Sequence, residues 1–389
     1  MQANQSNDLS RQQVTIIGAG TSGLSLAYFL KRRGISPVIL EAAETAGSSW
    51  SRRHKQLRLN THRRRSSLPG QSLPRRLGTF VHRDDYVEYV KHYADWLAHR
   101  HCIEIRHGVA VQRIDQTPNG WTLGTSEGTV NTRQLVVATG PERITYIPAW
   151  PGLDSCSMEK RHAADFGDIN DYSWKRVLIV GGANSGIDIA NWLARHGRCN
   201  SLAISMRQGT HLLPTRLFGI STQLTAPLLG GLPLHVQDWI GALMSKLSFG
   251  DLTRWGIRTP DMGVCTRLAR EGTAPGFDDG FVAAVKRGEV QVLPDVRRFT
   301  AHRVEFTDGS NLVCDTVIFA TGYRTGLPAL LNVTSVLDER GRPKVDAPDA
   351  DERYPGLWFF GMRPRLEGNI YARVKEARQL ARVLAKQHA

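Results

Sequence analysis

The sequence lacks paired cysteines and long apolar runs, and both shortages exclude classes of protein. Its five cysteines are Cys102, Cys156, Cys199, Cys265 and Cys314. None forms a Cys-x-x-Cys pair, the spacing used by zinc sites and redox-active disulfides, so we predict neither. No apolar run approaches the ~20 residues that a membrane-spanning helix needs, so we also predict no integral membrane segment.

Signals for metal binding and export are missing as well. The thirteen histidines show no ligand spacing such as H-E-x-x-H, so we predict no metal. The N-terminus is polar and has no apolar stretch before the first predicted strand, and scattered thiols suit a reducing compartment. We therefore predict a cytoplasmic protein without a secretory signal.

The net charge is +14, because 50 Lys and Arg residues outnumber 36 Asp and Glu residues. The basic residues are spread over the whole chain, and no helix-turn-helix, zinc-finger or RNA-binding motif accompanies them. We therefore predict no nucleic-acid partner, since anionic cofactors account for part of the charge more simply. The length of 389 residues suggests two or three domains, although one large α/β unit could also absorb it.

Glycine is concentrated in a motif near the N-terminus. A β-prone run, Val14 to Ile17, leads into Gly18-Ala19-Gly20-Thr21-Ser22-Gly23, a helical pattern and a second predicted strand that ends in Glu41. In this G-x-G-x-x-G fingerprint the glycines let the backbone approach a dinucleotide diphosphate, and the acid accepts from a ribose hydroxyl. The unit predicts a site for FAD or NAD.

A second unit of this kind begins at Val177. Its turn, Gly181-Gly182-Ala183-Asn184-Ser185-Gly186, has Ala183 in the place of the middle glycine, which weakens the signal without removing it. The next predicted strand, Leu202 to Arg207, ends in an arginine instead of an acid. A guanidinium can pair with a 2′-phosphate, so this unit predicts NADP. A solvated surface arginine is the alternative.

A shorter repeat accompanies the two glycine units. Two apolar strands end in Ala138-Thr139-Gly140 and in Ala320-Thr321-Gly322. A glycine at such a position lets the backbone come close to a ligand or to another segment. Together the repeats predict an α/β protein with two Rossmann-like dinucleotide-binding domains, which hold two dinucleotides or two halves of one site.

From about Val14 to Leu384 the chain resembles the class B flavin-containing monooxygenases, especially the YUCCA-type and related small bacterial members. The resemblance begins with GAGTSG and Glu41, GSSW at Gly47 to Trp50, and RLNTHRRRSSLPG from Arg58. It continues through VVATG, VLIVGGANSGIDIA, SMRQGTHLLPT, GDLTRWGIRTPDMG and FATGY. Some of these pieces are generic, but their order makes the set specific.

The resemblance implies FAD in the first unit and NADPH in a domain inserted into the FAD domain. The FAD domain then covers residues 1–155 and 306–389, and the NADPH domain covers 156–305. It also implies a flavin C4a-(hydro)peroxide that oxygenates a small molecule in a water-poor site. The predicted cofactor-binding residues are Gly18, Gly20, Thr21, Ser22, Gly23, Glu41, Ser49, Trp50, Arg58, Leu59, Asn60, Thr61, Val111, Ala138, Thr139, Gly140, Gly181, Ala183, Asn184, Ser185, Gly186, Arg207, Ala320, Thr321, Gly322 and Tyr323.

Asn60 is the residue that the resemblance places over the flavin ring, and we predict it to be catalytic. Its amide can donate to the peroxide and hold the nicotinamide, whereas capping of a local turn is the alternative. His162 aligns with the histidine of the family's F-x-G-x-x-x-H fingerprint, but Cys156 and Met158 replace the Phe and the Gly. His162 is therefore as well explained by a linker hydrogen bond as by a functional role.

The run from His62 to Arg65 gives four consecutive basic or imidazole side chains beside the predicted flavin loop. A solvated face explains it by default, and a gate that attracts an acidic substrate is the alternative.

The predicted function is NADPH- and O2-dependent FAD monooxygenation of a small organic substrate. N- or S-oxygenation remains open beside oxidation of a carbonyl or a 2-oxo acid such as an indole-3-pyruvate-like compound. Two alternatives are an NADPH-dependent flavoprotein reductase or oxidase that does not oxygenate a substrate, and a non-catalytic NADP sensor. A flavin disulfide reductase would need a cysteine pair that the sequence lacks. The sequence also leaves a homodimer open.

Overall fold

The computed structural model describes residues 12 to 388 except 218, 223, 225–228 and 366. Its strands are β1 (Gln12–Ile17), β2 (Val38–Leu40), β3 (Glu104–Arg106), β4 (Val111–Thr117), β5 (Gly120–Thr125), β6 (Gly128–Val137), β7 (Ile144–Thr145), β8 (Glu159–His162), β9 (Arg176–Val180), β10 (Ser201–Ser205), β11 (Leu212–Pro214), β12 (Arg216–Leu217), β13 (Ile220–Ser221), β14 (Gly276–Asp278), β15 (Gln291–Leu293), β16 (Val296–Phe299), β17 (Arg303–Phe306), β18 (Asn311–Val313), β19 (Thr316–Phe319), β20 (Tyr323–Arg324) and β21 (Leu357–Phe359).

Its fully described α-helices are α1 (Thr21–Lys31), α2 (Ser48–Ser51), α3 (Arg63–Ser66), α4 (Arg83–His101), α5 (Asn184–His196), α6 (Leu234–Phe249), α7 (Val264–Glu271), α8 (Phe281–Lys286) and α9 (Asn369–His388). Short 3-10 helices lie at Arg75–Leu77, Ala163–Asp165, Ile169–Tyr172, Thr253–Trp255, Leu327–Ala329 and Thr334–Val336. Among the residues described, no helix is both long enough and apolar enough to cross a bilayer.

The first sheet is built around the first glycine unit. Its strand order is β3-β2-β1-β6-β5-β4, and β21 also pairs with β6. Ile17 at the end of β1 lies opposite Leu40 on one side and Val137 on the other, in parallel register. The strands β4, β5 and β6 form an antiparallel meander. The centre of the sheet is buried on both faces, which explains the continuous apolar runs of β1 and of the end of β6.

The second sheet is built in the same way around the second glycine unit. Its order is β15-β10-β9-β19-β8, and all its strands are parallel. Val180 at the end of β9 lies opposite Ser205 and Phe319. Because β19 lies in this sheet, the sheet extends beyond residue 305, where the predicted NADPH domain ends. We therefore propose that the second domain includes β19.

Each sheet has its own hydrophobic core. In the first, Leu24, Val90 and Leu380 from α1, α4 and α9 are buried in one cluster with residues of β1. In the second, Ile187 from α5 and Phe281 from α8 are buried with residues of β9 and β10. This arrangement confirms the predicted fold class, an α/β protein with two Rossmann-like units.

The segments that follow the two Ala-Thr-Gly motifs join the units. Tyr323 and Arg324 of β20 pair antiparallel with Thr145 and Ile144 of β7, and the Tyr146 N–H donates to the Gly322 carbonyl at 3.0 Å. The chain therefore passes between the units beside a two-stranded link.

Within its described residues, the segment 212–275 contains three short strands as well as α6 and α7. The last helix spans Asn369–His388 and packs in the core of the first sheet.

Candidate active site

Both glycine turns border one cavity of about 2050 Å³. The first turn follows β1 and the second follows β9, so the cavity lies at the carboxyl ends of parallel strands from both sheets. Ligands of open α/β sheets bind at these strand ends, where helix N-termini and loops converge. The cavity is therefore the candidate active site.

The three glycines of the first turn have different surroundings. Gly18 has a φ of +108°, and a Cβ there would lie 2.8 Å from the Ala138 carbonyl oxygen. A Cβ at Gly23 would lie 2.0 Å from the Gly18 carbonyl oxygen, so a side chain there would push α1 away from the turn. A Cβ at Gly20 would meet no atom of the described residues within 4 Å, and Gly20 borders the cavity. The open position is the one where a ligand's diphosphate would approach the backbone.

The N-terminus of α1 also fits the diphosphate of FAD. Gly20, its N-cap residue, provides no capping side chain, so the first backbone N–H groups of the helix have no such partner. Uncapped N–H groups and the helix dipole attract phosphate. Thr139, beside Gly18, buries a hydroxyl oxygen that has no hydrogen-bond partner in the described part of the chain. A bound cofactor could supply that partner.

Glu41 directly follows β2 and is 8% exposed. Its carboxylate accepts hydrogen bonds from the Ala19 N–H at 2.7 Å and from the Ala43 N–H at 3.0 Å. Glu41 therefore ties the first glycine turn to the loop after β2. The oxygens keep further acceptor capacity, and Glu41 borders the cavity, so a bond from a ribose hydroxyl is compatible with these contacts.

The second turn repeats the first. Gly181 has a φ of +120°, and a Cβ there would lie 2.4 Å from the Ala320 carbonyl oxygen. A Cβ at Gly186 would lie 1.9 Å from the Gly181 carbonyl oxygen. Ala183 is the N-cap residue of α5 and gives it no side-chain cap. This helix N-terminus therefore suits a second dinucleotide diphosphate, with the Ala183 methyl group in the place of a glycine hydrogen.

Arg207 lies two residues beyond the end of β10 at Ser205, whereas the sequence pattern placed it at the end of the strand. The strand ends at Ser205, and the Met206 N–H beyond it donates to the Leu293 carbonyl. Arg207 is exposed and borders the cavity. Within the described residues its guanidinium has neither a hydrogen bond nor an ion pair, so it is available for a phosphate.

Asn60 is held by a short extended segment. Arg58 forms a β-bridge with His82, and the Leu59 N–H donates to the Val81 carbonyl at 2.9 Å. Asn60 is half-buried and borders the cavity. Its side-chain amide makes no hydrogen bond to any described residue, so the alternative role of capping a local turn has no support.

An aromatic ring and a cation lie next to this segment. Phe80 immediately precedes Val81, the partner of Leu59, and borders the cavity. Arg216 on β12 places its guanidinium carbon 5.0 Å from the centre of the Phe80 ring. No carboxylate of the described chain forms an ion pair with Arg216, which is exposed in the cavity wall.

All predicted cofactor-binding residues except Gly23 and Gly186 border the cavity. These two are the third glycines of the turns. Each packs against the carbonyl oxygen of the first glycine of its own turn. The remaining residues come from both units, as one site for two dinucleotides requires. Their direct contact with a cofactor stays a prediction.

His162 is buried and uses both ring nitrogens for hydrogen bonds to the backbone. Nδ1 accepts from the Ala164 N–H at 3.1 Å, so the proton lies on Nε2, which donates to the Gly322 carbonyl at 3.0 Å. Burial lowers the pKa of His162, which favours this neutral form. The contacts support a linker hydrogen-bonder over a functional group.

The basic run does not border the cavity. His62 caps α3 by accepting from the Arg64 N–H at 3.1 Å, and Arg65 lies over the Tyr371 ring at 4.1 Å. Arg63 donates to the Leu73 carbonyl at 3.4 Å. These contacts favour a structural and solvated role over a gate.

Sequence reasoning missed two residues that connect the units. His54, 7% exposed, places Nε2 at 2.8 Å from Asp188 Oδ2 on α5. Arg53 donates to the Tyr323 hydroxyl at 3.0 Å and forms an ion pair with Glu142. Neither residue belongs to a motif, and the sequence signal was only their place in a basic stretch after Trp50.

A model of the pyridine nucleotide-disulphide oxidoreductase family matches residues 15 to 210. The chain is 31% identical over 382 residues to the probable indole-3-pyruvate monooxygenase YUCCA8 of Arabidopsis thaliana, covering 95% of this chain and 88% of that protein. It is 32% identical over 356 residues to the indole-3-pyruvate monooxygenase YUCCA1 of Oryza sativa subsp. japonica, covering 90% and 86%.

Solved structures share the fold over the whole chain. A flavin-containing monooxygenase from Stenotrophomonas maltophilia superposes with a TM-score of 0.74 at 22% identity, covering 98% of this chain and 100% of that one. A steroid monooxygenase bound to NADP gives a TM-score of 0.73 at 17% identity, covering 97% and 86%.

Proposed function

Since the chain belongs to the YUCCA-type flavin-containing monooxygenases and is an FAD-dependent monooxygenase that uses NADPH, we propose that it oxygenates a small organic acid through a flavin C4a-(hydro)peroxide. The observation that carries the proposal is the shared cavity, because both glycine turns and Asn60 border it. A hydride donor and a flavin held on these two turns would face the same cavity.

Each unit contributes its own contacts to this chemistry. The N-terminus of α1 would hold the diphosphate of FAD, and that of α5 would hold the diphosphate of NADPH. Arg207 would pair with the 2′-phosphate. FAD, when bound and reduced, supplies the activation of O2, whereas the chain orients the reactants and limits the access of water.

Asn60 would act on the oxygen chemistry. Its amide has two donors and one acceptor that no described residue uses, so it can hydrogen-bond a group in the cavity. A donor placed where negative charge develops in a dry site is worth roughly 2.7–4 kcal/mol. We expect this residue to affect oxygen transfer more than cofactor binding.

An aromatic 2-oxo acid is the substrate class that we favour. Arg216 and Phe80 offer a cation for a carboxylate and a ring for an aromatic side chain, close to the segment that carries Asn60. The plant relatives are named indole-3-pyruvate monooxygenases, and such a substrate is an aromatic 2-oxo acid. N- or S-oxygenation of amines and sulfides stays the second candidate, because the same oxidising flavin would serve it.

A flavoprotein reductase or oxidase without substrate oxygenation is the competing function. A panel assay separates it from the proposal: NADPH oxidation is followed with aryl-2-oxo acids, amines, sulfides and ketones, and products are identified by mass spectrometry. The proposal predicts one product formed per NADPH for an aryl-2-oxo acid. If hydrogen peroxide accounts for all the NADPH with every compound, the competing function is correct.

A further inference from the structure

Two consecutive residues of the first unit contact the second unit and the linker that leaves it. His54 contacts Asp188 of α5 through Nε2 and Oδ2 at 2.8 Å, and Arg53 donates to the Tyr323 hydroxyl at 3.0 Å. Both belong to the loop after α2, which starts in the first unit's cofactor region at Gly47. We call Arg53 and His54 the interdomain clasp.

The clasp contacts the two elements that frame the second glycine turn. Asp188 lies one helical turn after Asn184, the first residue of α5. Tyr323 directly follows Gly322 of the second Ala-Thr-Gly motif, whose Ala320 carbonyl packs against Gly181. Both contacts therefore lie where they can influence the position of the second turn relative to the first unit.

The His54 contact is buried and directional. The imidazole is 7% exposed and the Asp188 side chain 27% exposed, so salt screens this pair less than a surface pair. A carboxylate only accepts, so Nε2 carries the proton. Nδ1 is buried without a hydrogen-bond partner among the described residues, and the Phe166 ring lies edge-on at 5.5 Å. The bond to Asp188 is thus the polar contact that orients the ring.

The covalent connection between the units does not fix their relative position by itself. The two linkers pair over only two residues each, Ile144–Thr145 with Tyr323–Arg324. Each linker follows a glycine with a positive φ, +77° at Gly140 and +89° at Gly322. Such glycines absorb rotation easily, so side-chain contacts across the cavity must set the angle between the units.

We propose that His54 and Asp188 are positioning residues that hold the second glycine turn at the distance and angle at which a bound nicotinamide meets the flavin. The inference rests on the proposed function, because it assumes NADPH on the second turn and FAD on the first. A displacement of about 1 Å between reacting groups can cost about 100-fold in rate, so a single buried contact between the units is sufficient to control hydride transfer.

The test uses anaerobic stopped-flow reduction of the FAD-loaded protein at saturating NADPH. His54→Leu and Asp188→Asn should each retain FAD, yet the rate of flavin reduction should fall about 10- to 100-fold. His54→Gln retains an N–H donor and should stay within about threefold of the wild-type rate. The double variant should be no slower than the slower single variant, since both remove one contact.

Asp315→Asn is the matched control. Asp315 pairs with Arg176 inside the second unit, with the Nη2–Oδ1 distance at 2.6 Å, and does not border the cavity. It should reduce its flavin at the wild-type rate within about twofold. Asp188→Asn is nearly isosteric, so the test does not depend on how well His54→Leu folds.

The positioning role of His54 and Asp188 is refuted if FAD-loaded Asp188→Asn and His54→Leu both reduce their flavin within twofold of the wild-type rate. It is also refuted if Asp315→Asn slows equally, or if the double variant is slower by the product of the single effects. The proposed function would fail differently, because the wild-type protein would then reduce its FAD with NADPH but form no oxygenated product with any compound of the panel.

Discussion

The backbone at Gly18 lies against the carbonyl oxygen of Ala138 so closely that an added Cβ would come within 2.8 Å of it. The same relationship joins Gly181 to Ala320, at 2.4 Å. Each Ala-Thr-Gly motif therefore packs behind its own glycine turn. This packing explains why each glycine turn is accompanied by its own Ala-Thr-Gly motif. It also explains why the first glycine of each turn cannot carry a side chain.

Gly20→Val should give folded protein that has lost most of its FAD. A Cβ at Gly20 would meet no atom of the described residues within 4 Å, but a valine side chain would occupy the space where a diphosphate would approach the backbone. The measurement is the flavin-to-protein absorbance ratio after purification, together with circular dichroism. Gly231→Val is the matched control, because a Cβ at Gly231 also meets no described atom within 4 Å and Gly231 does not border the cavity; it should remain yellow.

Gly23→Ala should fail in a different way. Its Cβ would lie 2.0 Å from the Gly18 carbonyl oxygen, so the fold itself should lose about 1–3 kcal/mol through overpacking. A thermal midpoint of Gly23→Ala equal to that of wild type would contradict this expectation. FAD retained at wild-type stoichiometry in Gly20→Val would contradict the FAD assignment.

Much of the cofactor framework could be predicted from the sequence, because it depends on local rules. A strand, a glycine turn and a helix N-terminus are adjacent in the chain. The pattern therefore predicts both the fold and its ligands from two short segments, Gly18 to Gly23 and Gly181 to Gly186. The strand before Arg207 was predicted in the same way, although β10 ends two residues earlier than predicted, and the phosphate contact of Arg207 stays a prediction. The second sheet's use of β19 was missed, since strand pairing between distant segments leaves no local pattern.

Arg207→Ala should raise the KM for NADPH by about 10- to 100-fold, since each 1.4 kcal/mol is about tenfold. Its unpaired guanidinium is available for charge-assisted bonds to a 2′-phosphate, which NADH lacks. The KM for NADH should barely move, and flavin reduction at saturating NADPH should stay near wild type, because this contact is remote from the hydride.

The control for this arginine is Arg303→Ala on β17, an exposed arginine that does not border the cavity. It should leave both KM values unchanged. A preference for NADPH over NADH that stays within about twofold of wild type in Arg207→Ala would assign the phosphate to another residue.

Asn60→Leu should keep its FAD while product falls about 100- to 1,000-fold and hydrogen peroxide release rises. The substitution keeps the approximate size but removes the amide that borders the cavity, and one such donor is worth roughly 2.7–4 kcal/mol. Product and peroxide are measured per NADPH consumed. Rapid-mixing spectra with an equally long-lived oxygenated flavin in the variant would contradict the assigned role.

The contacts between the units could not be predicted, for a physical reason. His54 and Asp188 are 134 positions apart, and their bond exists only because two separately folded sheets meet at one cavity. Arg216 and Phe80 are likewise joined only in the folded chain. Single charged or aromatic residues outside motifs carry no positional signal in a sequence with 50 Lys and Arg residues.

The most direct test of the central claim is the origin of the oxygen in the product. The FAD-loaded protein is given NADPH and an aryl-2-oxo acid such as indole-3-pyruvate under ¹⁸O₂, with catalase present because free hydrogen peroxide decarboxylates 2-oxo acids without an enzyme, and the product is analysed by mass spectrometry. A monooxygenase should place one ¹⁸O atom per molecule in the product and consume one NADPH for it. Product that carries no ¹⁸O, or NADPH oxidised wholly to hydrogen peroxide with the 2-oxo acid and with every amine and sulfide tried, would contradict the account.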